Sequence, residues 1–199
     1  MQMIAGGLLE LYNKSLNGSD DSDAHLLTLF AIGVSLKVKR ILELGVKDGA
    51  TTYPLLLLAA ATNSHLTSVD VNSTTFKCPD DLASYWTFEK SCALDFLAAQ
   101  TEPYDLIYID DWHAYAHVKQ ELNEIDRLTR PSGIVIVHDL MYQTVPNYHC
   151  DLTLRHGQWA EGGPYRAVAE LDPQFWEFST IPSCNGLTIL RKKYSKLYK

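Results

Sequence analysis

Residues 40–52 have the sequence RILELGVKDGATT, and this stretch decides the fold class. Its first five residues form a short apolar run, which is typical of a β-strand buried on both faces. Gly45 and Gly49 follow, and glycine lets a backbone turn tightly and approach a ligand closely. A helix is predicted from about Thr52, with Pro54 in its first turn, where a missing N–H costs little. The N-terminus of such a helix presents free N–H groups and a partial positive charge to a ligand.

The alternation of strand and helix continues along the chain. Further strands are predicted at 66–70, 105–110 and 134–139, and helices around 91–99 and 115–128. The strands are short, apolar and rich in β-branched residues, as in a parallel sheet that helices cover on both faces. This pattern predicts an α/β fold with a doubly wound, Rossmann-like, mostly parallel sheet.

The C-terminal part predicts a different pairing. A helix near 164–171 leads to an apolar run at 175–181, the turn PSCNG and a second apolar run at 187–191. Two strands joined by a short Asn–Gly turn form an antiparallel hairpin. We therefore expect the parallel sheet to be closed by a C-terminal antiparallel hairpin.

The N-terminal 37 residues predict two helices ahead of this core. The apolar stripes that indicate them consist of Leu8, Leu9, Tyr12 and Leu16, and of Leu26, Leu29, Phe30, Gly33 and Val34. Ser22 or Asp23 is placed to cap the second helix. With 199 residues and no linker-like tract, the chain is predicted to be one domain, with helices at 1–37 and a Rossmann-like core at 38–199.

The composition and charge of the chain limit the classes of partner and the cellular location that are expected. The net charge of −7 argues against non-specific binding to nucleic acid, which needs concentrated Lys and Arg. The apolar run at 54–61 is too short to span a bilayer, and the first residues lack the basic leader of a signal peptide. None of the four cysteines lies in a CxxC pair, so reduced thiols in the cytoplasm are the simplest interpretation.

Four acidic residues lie at the ends of predicted strands: Glu43, Asp70, Asp110 and Asp139. Any one of them is explained as well by a loop carboxylate or a helix cap. Because ligands bind outside the carboxyl ends of parallel strands, four acids at equivalent positions predict a shared crevice. Asp70 ends the strand after the glycine loop, where an acidic side chain accepts hydrogen bonds from ribose hydroxyls.

These segments resemble the class I S-adenosylmethionine-dependent methyltransferases. ILELGVKDGATT is similar to their first motif, LTSVDVN to the ribose-binding second, YDLIYIDDWHAYAHVKQEL to the fourth and RPSGIVIVHD to the fifth. The last two resemble more narrowly a branch of small-molecule O-methyltransferases that includes the cephalosporin-hydroxylase and macrolide-sugar methyltransferase group. The resemblance covers residues 38–140 and the terminal hairpin, and it implies a seven-stranded sheet that binds S-adenosylmethionine.

The resemblance implies that the cofactor is held by Glu43, Gly45, Gly49, Asp70, Ser91 and Cys92. Cys92 stands where the third motif often has an acidic residue. We therefore expect the adenine contact to come from the Ser91 hydroxyl or from the backbone. The macrolide-sugar enzymes carry a pair of acidic metal ligands after the fifth strand, and here that pair is His138 and Asp139.

Methyl transfer to a hydroxyl needs a base, or a metal that lowers the hydroxyl's pKa. Asp110, His138 and Asp139 are the predicted metal ligands, with Mg²⁺ favoured by the carboxylates and Mn²⁺ by the histidine. His113 is the predicted base, and Asp110 the second catalytic residue. Three structural alternatives stay open: Asp110 contacts the cofactor's amino group, His138 is a satisfied strand-end residue, and His113 caps the following helix.

The expected acceptor is a small hydroxylated molecule, since no basic surface suggests a polymer. The alternatives are an NAD-dependent oxidoreductase, which the missing third glycine of GxGxxG disfavours, and a non-catalytic domain of the same fold. The polar and aromatic residues 140–163 predict either a substrate lid or an oligomer contact, which leaves a homo-oligomer open. The basic tail at 191–199 is expected to be solvated.

Overall fold

A computed structural model describes residues 2–141 and 162–193 of the chain. The helices are α1 (Gln2–Asn17), α2 (Leu26–Leu36), α3 (Thr52–Thr62), α4 (Ala93–Ala99), α5 (Tyr115–Leu128) and α6 (Gly163–Ala169). The strands are β1 (Arg40–Leu44), β2 (His65–Asp70), β3 (Trp86–Lys90), β4 (Tyr104–Ile109), β5 (Thr129–His138), β6 (Trp176–Ile181) and β7 (Leu187–Lys192). The predicted lid, 140–163, lies almost entirely outside the described residues, as does most of the basic tail.

The seven strands form one sheet in the order β3-β2-β1-β4-β5-β7-β6. Strands β1 to β5 pair in parallel, and β7 runs antiparallel to both β5 and β6. The predicted mostly parallel sheet with a C-terminal antiparallel hairpin is therefore confirmed. The strand order reverses between β1 and β4, and the loops after these strands meet there.

Two apolar layers cover the sheet. One contains Leu42 and Leu44 of β1 and packs under α4, α5 and α6, whereas the other contains Ile41 and packs under α1, α2 and α3. This alternation follows from the two-residue period of a strand. Helix α3 is buried almost all round, which explains its uniformly apolar sequence.

One predicted element boundary is wrong, and one strand was not predicted. The segment PSG at 131–133 does not separate α5 from the next strand, because β5 already begins at Thr129. The pairing with β4 shifts register between Tyr104 and Leu106, and Ser132 has a φ of 69°. A bulge thus absorbs the Pro–Ser–Gly sequence inside the strand. The strand β3 was not located from the sequence, because it is a half-exposed edge strand without an apolar run.

The predicted stripe of α1 is also wrong. Leu9 and Leu16 are 61% and 64% exposed, whereas Leu11 is fully buried. Helix α1 packs against α2 and α3, so this contact selects its buried face. The predicted caps of α2 are wrong too, since the helix begins after His25 and the Ser22 side chain makes no capping hydrogen bond.

The hairpin turn holds the segment that follows β5. Asn185 and Gly186 have φ values of 62° and 92°, which an Asn–Gly turn accommodates. The backbone N–H groups of Asp139 and Met141 donate to the carbonyls of Gly186 and Asn185, at 2.9 and 2.7 Å. The hairpin therefore fixes the position of Asp139. No helix in the described parts of the chain is long and apolar enough to cross a membrane.

Candidate functional site

The loop after β1 depends on glycine. Gly45 and Gly49 have φ values of 89° and 88°, a region that other residues rarely adopt. A Cβ atom at Gly45 would overlap the backbone carbonyl of Asp110. The loop therefore passes directly against the start of the segment after β4, at the reversal point of the sheet.

Asp70 holds this loop from the end of β2. Its Oδ2 accepts hydrogen bonds from the backbone N–H groups of Val46 and Lys47, at 2.9 and 3.0 Å, and its Oδ1 accepts one from Asn72 at 2.8 Å. The side chain is half-buried. A carboxylate has about four lone-pair positions, so Asp70 keeps the capacity to accept further hydrogen bonds from a ligand.

Glu43 supports the loop from inside the protein. It is fully buried, and its carboxylate accepts hydrogen bonds from the hydroxyls of Thr51, Thr52 and Ser68, at 2.8, 2.8 and 2.6 Å. Burial raises its pKa to about 7, against the lowering effect of these three hydroxyls. Because its carboxylate is fully buried among the protein's own hydroxyls, this arrangement favours an indirect role for Glu43 over the predicted direct contact with the cofactor.

Ser91 and Cys92 follow β3, beside Asp70. The Ser91 N–H donates to the Asp70 carbonyl at 3.0 Å, and its hydroxyl donates to the Cys92 carbonyl at 3.2 Å. Cys92 precedes α4 and makes no side-chain capping bond. Both residues are half-buried. They follow the carboxyl end of β3, which is parallel to β2 and β1, so they lie at the same edge of the sheet as the glycine loop.

The second half of the site lies after β4 and β5. Nε2 of His113 is 3.4 Å from Oδ1 of Asp110 and 3.1 Å from Oδ2 of Asp139. Nδ1 of His138 is 3.0 Å from Oδ1 of Asp139 and 3.6 Å from Oδ1 of Asp110. The predicted metal ligands and the predicted base thus form one cluster of two carboxylates and two imidazoles.

Neighbouring residues fix this cluster. The buried Tyr108 hydroxyl donates to Oδ2 of Asp110 at 3.0 Å. The ring of His25 meets His138 edge-on, with 5.5 Å between ring centroids, and its Nε2 lies 2.9 Å from the Ser183 carbonyl. Asp139 has a φ of 67°. The segment between α1 and α2 and the hairpin turn therefore both contribute to the walls of the site.

The charges of the cluster balance one another. Burial alone would lower the pKa of each histidine, but the carboxylates of Asp110 and Asp139 raise it to about 9 for His113 and about 11 for His138. Burial alone would raise the pKa of the two carboxyls, and the histidines lower it instead. Without a metal, two imidazolium ions thus offset two carboxylates.

The donor set fits a divalent cation. One atom each from Asp110, His113 and Asp139 lies within 4.8 Å of the others. His138 is almost fully buried and its Nδ1 contacts both carboxylates, so it is close to the set without being one of these three. Oδ1 of Asp139 and Nε2 of His138 are buried without a regular hydrogen bond in the described chain. The two carboxylates suit Mg²⁺, and an added imidazole favours Mn²⁺ or another transition metal.

Sequence reasoning missed two groups beside the site. The first is Asp20 and Asp21, in the segment between α1 and α2. Burial, a hydrogen bond to Asp20 and the charge of Asp139 raise the pKa of Asp21 to about 6. No sequence signal connected this turn to the crevice. The second group is Asp111, His117 and Glu121, where the signal was present: Glu121 lies among the core-facing positions of α5.

The sequence profile described as a methyltransferase domain matches residues 42–140. This range runs from β1 to just beyond β5, so it contains every predicted cofactor and metal residue. No curated protein sequence matches the chain.

Solved structures share the fold. An S-adenosylhomocysteine-bound methyltransferase of Podospora anserina superposes with a TM-score of 0.66 at 17% identity, over 94% of this chain and 88% of that one. An O-methyltransferase of Bacillus cereus in complex with S-adenosylhomocysteine gives 0.60 at 16%, over 97% and 91%. The MycE methyltransferase of mycinamycin biosynthesis, in complex with Mg, S-adenosylhomocysteine and mycinamycin VI, gives 0.57 at 14%, over 81% and 46%. At these identities the similarity establishes the fold.

Proposed function

Because residues 42–140 belong to the methyltransferase-domain family, we propose that this chain transfers the methyl group of S-adenosylmethionine to a hydroxyl of a small molecule. The expectation of a class I methyltransferase is confirmed by this match together with the seven-stranded fold. The single observation that carries the site-level proposal is the cluster in which His113 contacts both Asp110 and Asp139.

The cofactor half of the proposed site is the edge formed by the loops after β1, β2 and β3. Gly45 and Gly49 shape the first loop, Asp70 accepts hydrogen bonds from the ribose hydroxyls, and Ser91 lies next to Asp70 for the adenine. Glu43 acts indirectly by holding Thr51 and Thr52 at the start of α3. S-adenosylhomocysteine bound to the fungal and Bacillus proteins of the same fold supports this cofactor class.

The acceptor half is the cluster after β4 and β5. A divalent cation held by Asp110 and Asp139 would replace part of the histidine charge and lower the pKa of an acceptor hydroxyl. The acceptor oxygen attacks the methyl carbon in line, the carbon–sulfur bond breaks, and its electron pair stays on sulfur as the thioether. A cation on Asp110 and Asp139 would favour the neutral form of His113 over the imidazolium. In that neutral form His113 accepts the acceptor's proton, so the positive charge of the sulfonium ends on the imidazole. Its position between two carboxylates stabilises that product.

The acceptor class follows from charge and composition. The chain carries a net charge of −7, which disfavours a nucleic-acid substrate. The structure of MycE in complex with Mg and mycinamycin VI is a precedent for a metal and a small-molecule acceptor on this fold. We propose a hydroxylated small molecule of this general kind. A cytoplasmic location, one domain over 1–199 and a homo-oligomer stay predictions.

Two alternative functions would use the same residues in different ways. An NAD-dependent oxidoreductase would bind a dinucleotide at the loop after β1, although GVKDG lacks the third glycine of the pyrophosphate motif. A non-catalytic domain would keep the fold and bind cofactor without transferring a methyl group. Either function would leave the metal-ligand cluster unexplained.

Calorimetry and a methyl-transfer screen test the proposal together. We expect S-adenosylhomocysteine to bind at one site per chain and NADH not to bind. Labelled methyl from S-adenosylmethionine, with Mg²⁺ or Mn²⁺ present, should be recovered on members of a panel of vicinal diols, phenols and sugars. Binding of NADH instead of S-adenosylhomocysteine would overturn the enzyme class. Cofactor binding with no transfer to any acceptor would favour the non-catalytic domain.

A further inference from the structure

Glu121 occupies a position on α5 where an apolar residue is expected. The helix buries Val118, Leu122, Ile125 and Leu128 on the same face, and Glu121 is itself 0% exposed. Neither of its carboxylate oxygens has a hydrogen-bond partner in the described part of the chain. A buried carboxylate without hydrogen bonds is costly, so such a group calls for a compensating charge.

Asp111 and His117 bring their side chains to Glu121. Nε2 of His117 is 3.4 Å from Oε1 of Glu121 and 3.1 Å from Oδ2 of Asp111. His117 and Glu121 are four residues apart on α5, so they share one face of the helix. Oδ1 of Asp111 is buried and also lacks a hydrogen-bond partner among the described residues. Three carboxylate oxygens of Asp111 and Glu121 thus lie buried beside the His117 imidazole without a hydrogen-bond partner in the described residues.

We propose that Asp111, His117 and Glu121 bind a divalent transition metal, with Zn²⁺ the best match, at a second site separate from the Asp110–Asp139 cluster. One ligand atom from each side chain lies within 4.8 Å of the others. Ligands about 2.1 Å from a tetrahedral ion are about 3.4 Å apart, which agrees with the two observed separations. The imidazole favours Zn²⁺ or a similar ion over Mg²⁺ and Ca²⁺.

The site is also accessible to an ion. The side chains of Asp111 and His117 are 18% and 17% exposed, whereas Glu121 closes the inner side. Three protein ligands leave a fourth tetrahedral position for water. An ion could therefore enter from solvent past Asp111 and bind the buried carboxylate.

The proposed ion would tie the loop after β4 to α5. Asp111 follows Asp110 directly, and His113 lies between Asp111 and the start of α5 at Tyr115. Fixing Asp111 to His117 and Glu121 would restrain the segment that presents Asp110 and His113. The second site would thus stabilise the fold and position the acceptor half, without itself touching substrate. This proposal does not depend on the methyl-transfer function.

Metal content after dialysis against Zn²⁺ tests the site. Glu121→Gln and His117→Gln keep the side-chain size and remove one ligand each, Asp139→Asn alters the first cluster, and Glu124→Gln is a matched control. Glu124 lies on the same helix, where it pairs with Arg127 and is partly exposed. We expect the Glu121 and His117 variants each to contain one Zn²⁺ fewer than wild type and Glu124→Gln. Asp139→Asn should keep the Zn²⁺ that these two variants lose, even where it loses an ion from the first cluster.

Diffraction keeps the test independent of variant folding. Crystals of the wild-type protein soaked in Zn²⁺ should show an anomalous peak within about 2.0–2.2 Å of His117 Nε2 and of the Asp111 and Glu121 oxygens. An equal Zn²⁺ content in wild type and the Glu121→Gln variant, or no anomalous peak at these ligands, would overturn the proposal. In that case the three side chains form a metal-free ion triple.

Discussion

Nε2 of His113 lies 3.1 Å from Oδ2 of Asp139, and this contact joins the segments after two different strands. Strands β4 and β5 are parallel neighbours, with Ile109 beside Val137, so both segments leave the sheet at the same edge. The hydrogen bond from the Asp139 N–H to Gly186 fixes one partner. The geometry of the acceptor half is therefore set by the sheet and its terminal hairpin.

Asp110→Asn separates the two roles considered for Asp110. The substitution keeps the shape but removes one negative charge from the metal ligands. We expect methyl transfer and Mg²⁺ affinity to fall at least tenfold, while S-adenosylhomocysteine affinity stays within about twofold. Both quantities are measured on the same variant, by a transfer assay and by calorimetry. A loss of cofactor affinity at unchanged metal affinity would instead place Asp110 on the cofactor's amino group.

Asp70→Ala should affect both the cofactor and the loop after β1. Loss of hydrogen bonds to a charged acceptor costs about 1.5–3 kcal/mol, so calorimetry should show S-adenosylhomocysteine binding about 10- to 150-fold more weakly. The melting temperature should also fall, because the Val46 and Lys47 N–H groups lose their acceptor. Asp48→Ala is the control, since it removes an exposed carboxylate from the same loop. Unchanged affinity in Asp70→Ala would exclude Asp70 from the cofactor site.

Gly45→Ala tests the close approach of two loops. The φ of 89° alone costs a non-glycine residue about 1–3 kcal/mol, and the new Cβ atom would also overlap the Asp110 carbonyl. We expect a lower free energy of unfolding in urea and a loss of methyl transfer as Asp110 is displaced. Gly6→Ala is the matched control, because nothing lies within 4 Å of its added Cβ atom. If the two variants behaved alike, the described loop contact would be wrong.

Glu43 should make stability depend on pH. Burial raises its folded pKa to about 7, from 4.5 in the unfolded chain. Between these values the unfolded chain releases its proton first, so the folded state binds more protons and the free energy of unfolding falls as pH rises. At about 1.4 kcal/mol per pKa unit, this contribution is on the order of 3 kcal/mol.

Urea unfolding of wild type and Glu43→Gln between pH 4.5 and 7 isolates this effect. The variant has no proton to release, so its stability should depend less steeply on pH in this window. The exposed Glu102→Gln should keep the wild-type slope. Identical slopes in wild type and Glu43→Gln would show that Glu43 keeps its ordinary pKa in the fold.

The central strands were predictable from sequence because of their environment. Strand β1 was expected at residues 40–44 and lies at Arg40–Leu44, since a strand buried on both faces needs a continuous apolar run. The edge strand β3 is half-exposed, so its sequence WTFEK has no such signature. The buried face of α1 depends on contacts with α2 and α3, which periodicity alone does not specify.

The location of the site was also predictable from the sequence. Parallel strands bring their carboxyl ends to one edge, so acids at strand ends could be expected to converge. Two features required the three-dimensional structure. One is the full engagement of Glu43 by three hydroxyls, which depends on how β2 and α3 pack around it. The other is Glu121, which was passed over because only the apolar positions of α5 were followed.

The rate of methyl transfer by the His113→Gln variant tests most directly whether His113 is the catalytic base. The assay compares initial rates of wild type and variant with saturating S-adenosylmethionine, Mg²⁺ and an acceptor identified in the screen, and calorimetry verifies cofactor binding. The exposed His65→Gln is the control for loss of an imidazole outside both clusters. We expect a rate about 10²- to 10⁴-fold lower in His113→Gln, with S-adenosylhomocysteine affinity within about twofold of wild type. A wild-type rate in His113→Gln would contradict the assignment of His113 as the base.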